Sequence, residues 1–265
     1  MGDLFLKPQR GSDDKLRGLS ANIWSQSPLT QIRIGALDEG YGFIDDFLSL
    51  DLSESGAAAD GSDLTVAGNW CLTAATAGTA ALDAAAKGGV LLLDSASSTN
   101  NQGAQIQMGG AAGAASFIPN ANATIYYEAR VKIADIGSTT CQMFAGLAIV
   151  DTSLFASAAN STANHIGFEA INTTAMGIHS EKAGSRSSTA AVHTVADDAY
   201  VKLGFVVDGL TKITPYVNGV AKDAITTNIP IVELTPSFVC HSSGTTDPIL
   251  HIDWVAVYQA EQIAN

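Results

Sequence analysis

Several things are scarce in this chain, and each scarcity removes a class of function. Only three cysteines occur in 265 residues, Cys71, Cys141 and Cys240. Their odd number and wide spacing fit neither a disulfide framework nor a metal-ligand pattern. Buried free thiols, in a protein folded in a reducing cytoplasm, are the expectation. Apolar runs are short, so no stretch suffices to span a bilayer. The opening residues MGDLFLKP lack the apolar core of a signal peptide, and Leu6 stands where a myristoylation signal requires Ser or Thr. Basic residues number 13 against 26 acidic ones, for a net charge of −13. Such a surface repels phosphate backbones, which argues against nucleic-acid binding. Aromatic residues make up 7% of the chain, too few to suggest a broad sugar-stacking platform.

What is abundant is small and apolar. Hydrophobic residues form 46% of the chain, charged residues 15%, and there are 25 glycines. A chain of this length and composition can bury a sizeable core without staples. The charge is unevenly placed. Lys7, Arg10, Lys15, Arg17 and Arg33 face only Asp3, Asp13 and Asp14 before residue 36, a net of +2 that leaves −15 for the rest. Residues 1–40 carry no persistent apolar period and are punctuated by Pro8, Gly11, Gly18 and Pro28. They are expected to form an extended N-terminal arm ahead of one domain over 41–265. A weakly basic arm on an acidic body suggests docking on a partner; a solvated terminus is the plainer reading. The residues of the arm expected to carry such docking are Lys7, Arg10, Arg17, Trp24, Ile32 and Arg33, with Trp24 as an aromatic anchor for a partner's pocket.

Beyond residue 41 the pattern predicts short strands bounded by Gly, Pro, Asn, Asp or Ser: 42–52, 64–74, 89–94, 104–108, 124–133, 142–150, 165–171, 176–181, 200–207, 212–217 and 250–258. Alternation is clearest in 124–133. There Ile125, Tyr127, Ala129, Val131 and Ile133 share one face, while Tyr126, Glu128, Arg130 and Lys132 share the other, expected to be polar and half-exposed. Asp208-Gly209 and Asn218-Gly219 supply hairpin turns, predicting a three-strand meander over 200–221. Residues 151–159 are a candidate short helix capped by Asp151. Many short strands and little helix point to an all-β sandwich or barrel.

The order of particular segments narrows this. Asp45-Asp46-Phe47 and Gly68-Asn69-Trp70 precede Gly89-Val-Leu-Leu-Leu, Tyr127-Glu-Ala-Arg-Val-Lys-Ile and Phe144-Ala-Gly-Leu-Ala. His165-Ile-Gly-Phe, Val206-Val-Asp-Gly, Pro215-Tyr-Val-Asn-Gly and His251-Ile-Asp-Trp-Val follow. Residues 45–258 thereby resemble concanavalin A-like sandwiches, the group containing laminin-G-like domains and laminarinase-type glycoside hydrolases. The resemblance implies a two-sheet antiparallel jelly-roll sandwich. Ser27-Pro-Leu-Thr-Gln-Ile-Arg-Ile-Gly, leading into Gly42-Phe-Ile-Asp-Asp-Phe, looks in addition like structural proteins of tailed phages. That likeness implies a virion protein on the capsid surface, a head decoration (cement) protein with the major capsid protein as partner and a homo-oligomeric state.

The hydrolase branch of that group sets two carboxylates on one strand face after the segment matching 144–150. Here the candidate stretches IVDTSL and HIGFEA hold no such pair, so catalysis is not expected. His165 and Glu169 would share a face, a cleft pair on one reading and an ordinary cross-strand contact on the favoured one. Five histidines show no zinc spacing. No cofactor is expected, although Asp60 and Asp63 in Asp60-Gly-Ser-Asp63, or Asp197-Asp198, are weak calcium candidates by analogy with laminin-G-like domains. Trp70 and Trp254 are expected in the core or at its rim. The alternative to head decoration is a carbohydrate-binding module on the virion surface for adhesion to host glycans.

Overall fold

Segments that alternate apolar and polar residues between turn formers do become strands, and there are more of them than the pattern predicts. In the computed structural model the residues described are 18–25, 27, 40–50, 52–54, 70–75, 78–86, 88–96, 98–99, 102–109, 117–136, 141–151, 153–154, 162–244 and 246–261. The strands are Gly40–Asp45 (β1), Leu52–Glu54 (β2), Trp70–Ala75 (β3), Thr79–Leu82 (β4), Leu91–Asp94 (β5), Gly103–Met108 (β6), Ala123–Ala134 (β7) and Cys141–Ala148 (β8). They continue with His165–Thr173 (β9), Ala175–Lys182 (β10), Ser185–Thr194 (β11), Val201–Asp208 (β12), Lys212–Val217 (β13), Val220–Ala221 (β14), Thr235–His241 (β15) and Ile249–Glu261 (β16). The helix of the described residues is one turn, Ala21–Trp24 (α1). No helix among them is long and apolar enough to cross a membrane.

Two eight-stranded sheets face one another. Sheet A runs β14-β13-β12-β7-β16-β5-β4, with β1 also paired to β16, and sheet B runs β11-β10-β9-β8-β15-β6-β3-β2. All pairs are antiparallel except β2 with β3, which is parallel. Between the sheets the inward residues interdigitate: Ile125, Tyr127, Phe205, Ile252 and Val257 from sheet A against Ile106, Leu147, Phe168, Ile178 and Phe238 from sheet B. This is the two-sheet antiparallel sandwich expected. Two of the segments that carried the resemblance meet in space: the indole N–H of Trp70 donates to Asp45 Oδ2 at 2.8 Å, and the ring packs among Phe43, Phe47 and Phe238. The 200–221 meander forms as β12-β13-β14, and its second turn places Asn218 and Gly219 at φ 50° and 76°, the left-handed pair a two-residue hairpin requires.

Three expectations need correction. The polar face of β7 is not solvated: Glu128 and Arg130 are buried, Glu128 beneath Ser20 and Trp24, and Arg130 against Asp253 and the Tyr200 ring. Residues 153–154 form a turn, with Asp151 Oδ1 accepting from the Ser153 amide at 2.8 Å; the remainder of the expected helix lies outside the described residues. Trp24, expected to reach a partner, is buried on its own sheet.

Candidate functional site

The outward face of sheet B carries the densest chemistry. On β9 the inward residues Ile166, Phe168 and Ala170 enter the core, so alternation turns His165, Gly167 and Glu169 outward. On β10 the outward set is Gly177, His179 and Glu181, in register with Glu169, Gly167 and His165 respectively. Arg186 on β11 is the register partner of Glu181. Five polar groups from three adjacent strands therefore converge, two of them (His165 and Glu169) on β9, two (His179 and Glu181) on β10 and Arg186 on β11.

Their contacts are specific. Glu169 Oε1 lies 2.6 Å from His165 Nε2, and its Oε2 accepts from Arg186 Nη1 at 3.1 Å. Arg186 Nε donates to Glu181 Oε2 at 2.9 Å, and Nη1 also reaches Nδ1 of His179 at 3.0 Å. A guanidinium only donates, so His179 accepts at Nδ1 and carries its proton on Nε2. Burial, with the nearby Arg186 and His165 charges, lowers the His179 pKa against the opposing pull of Glu169 and Glu181, which agrees with a neutral ring. His165 Nδ1 lies 2.8 Å from the carbonyl of Ala163. A carbonyl only accepts, so Nδ1 bears a hydrogen, and Nε2 faces Glu169. Burial pushes the Glu169 carboxyl up, but the hydrogen bond and charge of His165, with the charges of His179 and Arg186, outweigh it and hold the pKa below its usual value.

The same face is occupied further along by the protein's own chain. Gln107 on β6 donates to the Ile149 carbonyl and accepts from the Asp151 amide, while Gln105 bonds the Asp151 carbonyl and the Leu154 amide. Leu154 then packs on Phe144, Ala148 and Val239. Gly167 allows the Phe144 ring to lie on the sheet, since a Cβ there would stand 2.5 Å from Cε2. The Phe144 ring in turn meets His165 edge-on at 5.5 Å. The favoured reading of His165 and Glu169 as an ordinary cross-strand contact is thus corrected. They are same-strand neighbours, both almost wholly buried, at the centre of a five-residue network. Only their spacing on a half-buried strand signalled this; Arg186 and Glu181 gave no signal.

The opposite face, on sheet A, holds the docked arm segment. Trp24 Nε1 and the Ser20 amide both donate to Glu128 Oε2, at 2.8 and 2.9 Å. Lys202 Nζ donates to the Gly18 carbonyl, and Asn22 Nδ2 to the Gly219 carbonyl, each at 2.8 Å. Ile23 and Trp24 cover Tyr126, Ala256 and Tyr258. Burial raises the Glu128 carboxyl pKa, although Ser20, Trp24 and Lys202 oppose that shift. Lys7, Arg10, Arg17, Ile32, Arg33, Asp60 and Asp63 lie outside the described residues. Asp198 pairs with Lys132 at 2.5 Å and Asp197 faces the Ile136 amide at 3.4 Å. Among the described residues, no group of three or more His, Cys, Asp or Glu side chains is arranged to hold a metal. Trp70 is in the core; Trp254, expected in the core or at its rim, is instead partly buried on the outer face of sheet A, beside the cluster of Trp24, Tyr126 and Tyr258.

Comparison with solved structures places the architecture. A Shewanella oneidensis MR-1 protein of unknown function superposes with TM-score 0.57 at 11% identity, over 97% of each chain. A Lotus tetragonolobus seed lectin gives TM-score 0.57 at 11% identity, over 84% of this chain and all of the lectin. A Bacteroides ovatus family 16 glycoside hydrolase, an endo-glucanase, gives 0.52 at 13% identity, over 81% and 99%. At such identities the likeness establishes the fold, the concanavalin A-like jelly-roll sandwich, and the fold serves both lectins and enzymes. No protein-family model matches the sequence, and no curated protein matches it.

Proposed function

We propose that this chain acts by binding rather than by catalysis, as a sandwich of the lectin type that decorates and stabilises a phage head. The observation that supports the non-catalytic part is the closed state of the sheet B face. A retaining glycosidase needs two carboxyl groups about 5 Å apart flanking a sugar. Glu169 and Glu181 are instead buried and tied to one guanidinium, and the neighbouring strands are covered by the turn that follows β8. A substrate would have to displace the Arg186 guanidinium to reach either carboxylate.

The decoration reading is supported by the arm. The docked segment holds Gly18 on the outer face of sheet A, and the sequence before it includes Lys7, Arg10 and Arg17. A basic leader on an acidic body suits contact with an acidic shell surface. Binding the assembled shell in preference to free subunits would stabilise it by mass action. The partner would be the major capsid protein, bound by a symmetric oligomer of this chain at the capsid surface.

Cosedimentation with heads of the encoding phage tests this, using the full chain and a chain lacking residues 1–17. Saturable binding that is lost with the leader is the expected result. Removing residues 1–40 would be a poor test, because it also strips the segment that covers Glu128.

A second reading, a carbohydrate-binding module, has one observation in its favour: the sandwich is the one used by the lotus lectin and by the endo-glucanase. Glycan-array binding, with and without calcium, in the absence of any head binding would favour it, with Asp60 and Asp63 as the first calcium ligands to substitute.

A further inference from the structure

Glu128 is a carboxyl group buried beneath a segment that carries no charge. Residues 18–27 contain no ionisable side chain, yet Ser20 and Trp24 cover a glutamate with 0% exposure. Both donors that the segment offers it, the Ser20 amide and the Trp24 indole, converge on Oε2 at 2.9 and 2.8 Å. Oε1 is buried and has no hydrogen-bond partner. The residue opposite on β12 is Gly204, which brings no side chain to it; an added Cβ there would stand 3.2 Å from Glu128 Cγ.

The charged and titratable groups around Glu128 do not compensate it. Lys202 on β12 attracts the carboxyl, but its ammonium donates to the Gly18 carbonyl at 2.8 Å. Arg130, on the same face of β7, pairs with Asp253 of β16 at 2.6 Å. Tyr126 of β7, Tyr258 of β16 and Tyr216 of β13 add only phenols. Among the described residues no cation pairs directly with Glu128. A buried carboxylate with one bare oxygen is costly, whereas the neutral acid avoids the burial of a charge. Burial accordingly raises the Glu128 pKa, against the opposing pull of Ser20, Lys202 and Trp24.

We infer that Glu128 is a proton-operated latch: residues 18–27 are held on sheet A most firmly when its carboxyl is neutral, and are loosened when it ionises. Undocking returns the carboxyl to water, so the docked segment is the form with the higher proton affinity. A pKa raised on docking adds stability that is fully present below the solvent-exposed pKa and is lost as pH rises through the raised one. Opening uncovers Tyr126, Ala256 and Tyr258. It leaves the core between the sheets in place. The latch is independent of head binding.

Hydrogen exchange in the full chain tests it. The Ile23 and Trp24 amides donate to the Ser20 carbonyl, and the Ser25 amide to that of Ala21. A helix of one turn does not persist in water by itself, so exchange of these amides reports undocking. Their protection is measured between about pH 4.5 and pH 8, normalised to intrinsic exchange at each pH, with the β12 amides as reference. The expected result is a fall of up to ~10-fold per pH unit as the carboxyl ionises, then a plateau, with no such fall in β12. Glu128→Gln keeps an acceptor for both donors without the charge, and should hold the segment at the parent's acid level throughout. Parent protection that is flat or rises with pH would overturn the inference whatever the variant does. A Glu128→Gln chain that keeps the parent's slope would overturn it by moving the titration to Lys202. A variant less protected than the parent at the alkaline end would overturn it by showing that the charge holds the segment.

Discussion

Replacing Glu169 by Ala is the sharpest test of the buried network. Glu169 is about 2% exposed and lies against His165 and Arg186. Removing it takes the carboxylate away from a buried imidazole and from a guanidinium that also contacts Glu181 and His179. Breaking a buried ion pair by deleting one member costs about 3–5 kcal/mol. That is a large part of the ~5–15 kcal/mol stability of an ordinary domain. At ~2–4 °C per kcal/mol for a chain this size, the melting temperature should fall by roughly 10 °C. Glu169→Gln should cost less, about 1–3 kcal/mol, because a carboxamide can donate to His165 Nε2 and still accept from Arg186. The two variants should also differ from the parent in acid. A carboxyl whose folded pKa is depressed contributes stability that is present above its unfolded pKa and lost as pH falls through the folded one. The parent should therefore lose stability below about pH 4.3 more steeply than Glu169→Gln does. Urea melts of all three proteins between neutral and acid pH give both readouts. A Glu169→Ala protein within ~1 kcal/mol of the parent, or an acid limb unchanged in Glu169→Gln, would refute the network as drawn.

Trp24→Phe keeps a ring over Tyr126 but deletes the donor to Glu128; a loss of ~1.5–3 kcal/mol by chemical denaturation is expected, and no loss would deny that bond its role. Gly204→Ala forces Ile23 aside, so limited proteolysis should cut within residues 18–27 sooner than in the parent while the sandwich stays intact. Cys71 and Cys240 are buried, the second bonded to the Pro248 carbonyl at 3.3 Å; both should resist a thiol reagent until the domain unfolds, and reaction of either in the native state would contradict the core described. Gly219→Ala places a Cβ at φ 76° and should cost ~1 kcal/mol.

Much of the sandwich was legible because its inner strands repeat the two-residue period that a half-buried sheet demands. β7, β12, β13 and β16 could be read from alternation and from Asn218-Gly219. The strands that escaped did so for identifiable reasons. β15 begins Thr-Pro-Ser, and a proline argues against a central strand, although Pro236 stands near its start. β11 reads Ser-Arg-Ser-Ser-Thr-Ala-Ala, a polar edge with no apolar alternation until Val192. The exposure of β7 was misread because a strand's own pattern cannot reveal chain that crosses it from a hundred residues away, as Ser20 and Trp24 do over Glu128. The sheet B network shares that limit. Glu169 and His165 announce a common face, but Arg186 joins them only through the register of β10 with β9 and β11, which no local signal specifies.

The most direct measurement of the proposed head decoration is binding of the purified chain to the heads of a phage in whose genome this sequence is found. Heads and chain are sedimented together over a range of chain concentrations, and the bound copies are counted. The account predicts saturation at a number set by a symmetry site of the capsid, and loss of binding when residues 1–17 are removed. Absence of binding to mature and empty heads alike, with glycan binding in its place, would contradict it.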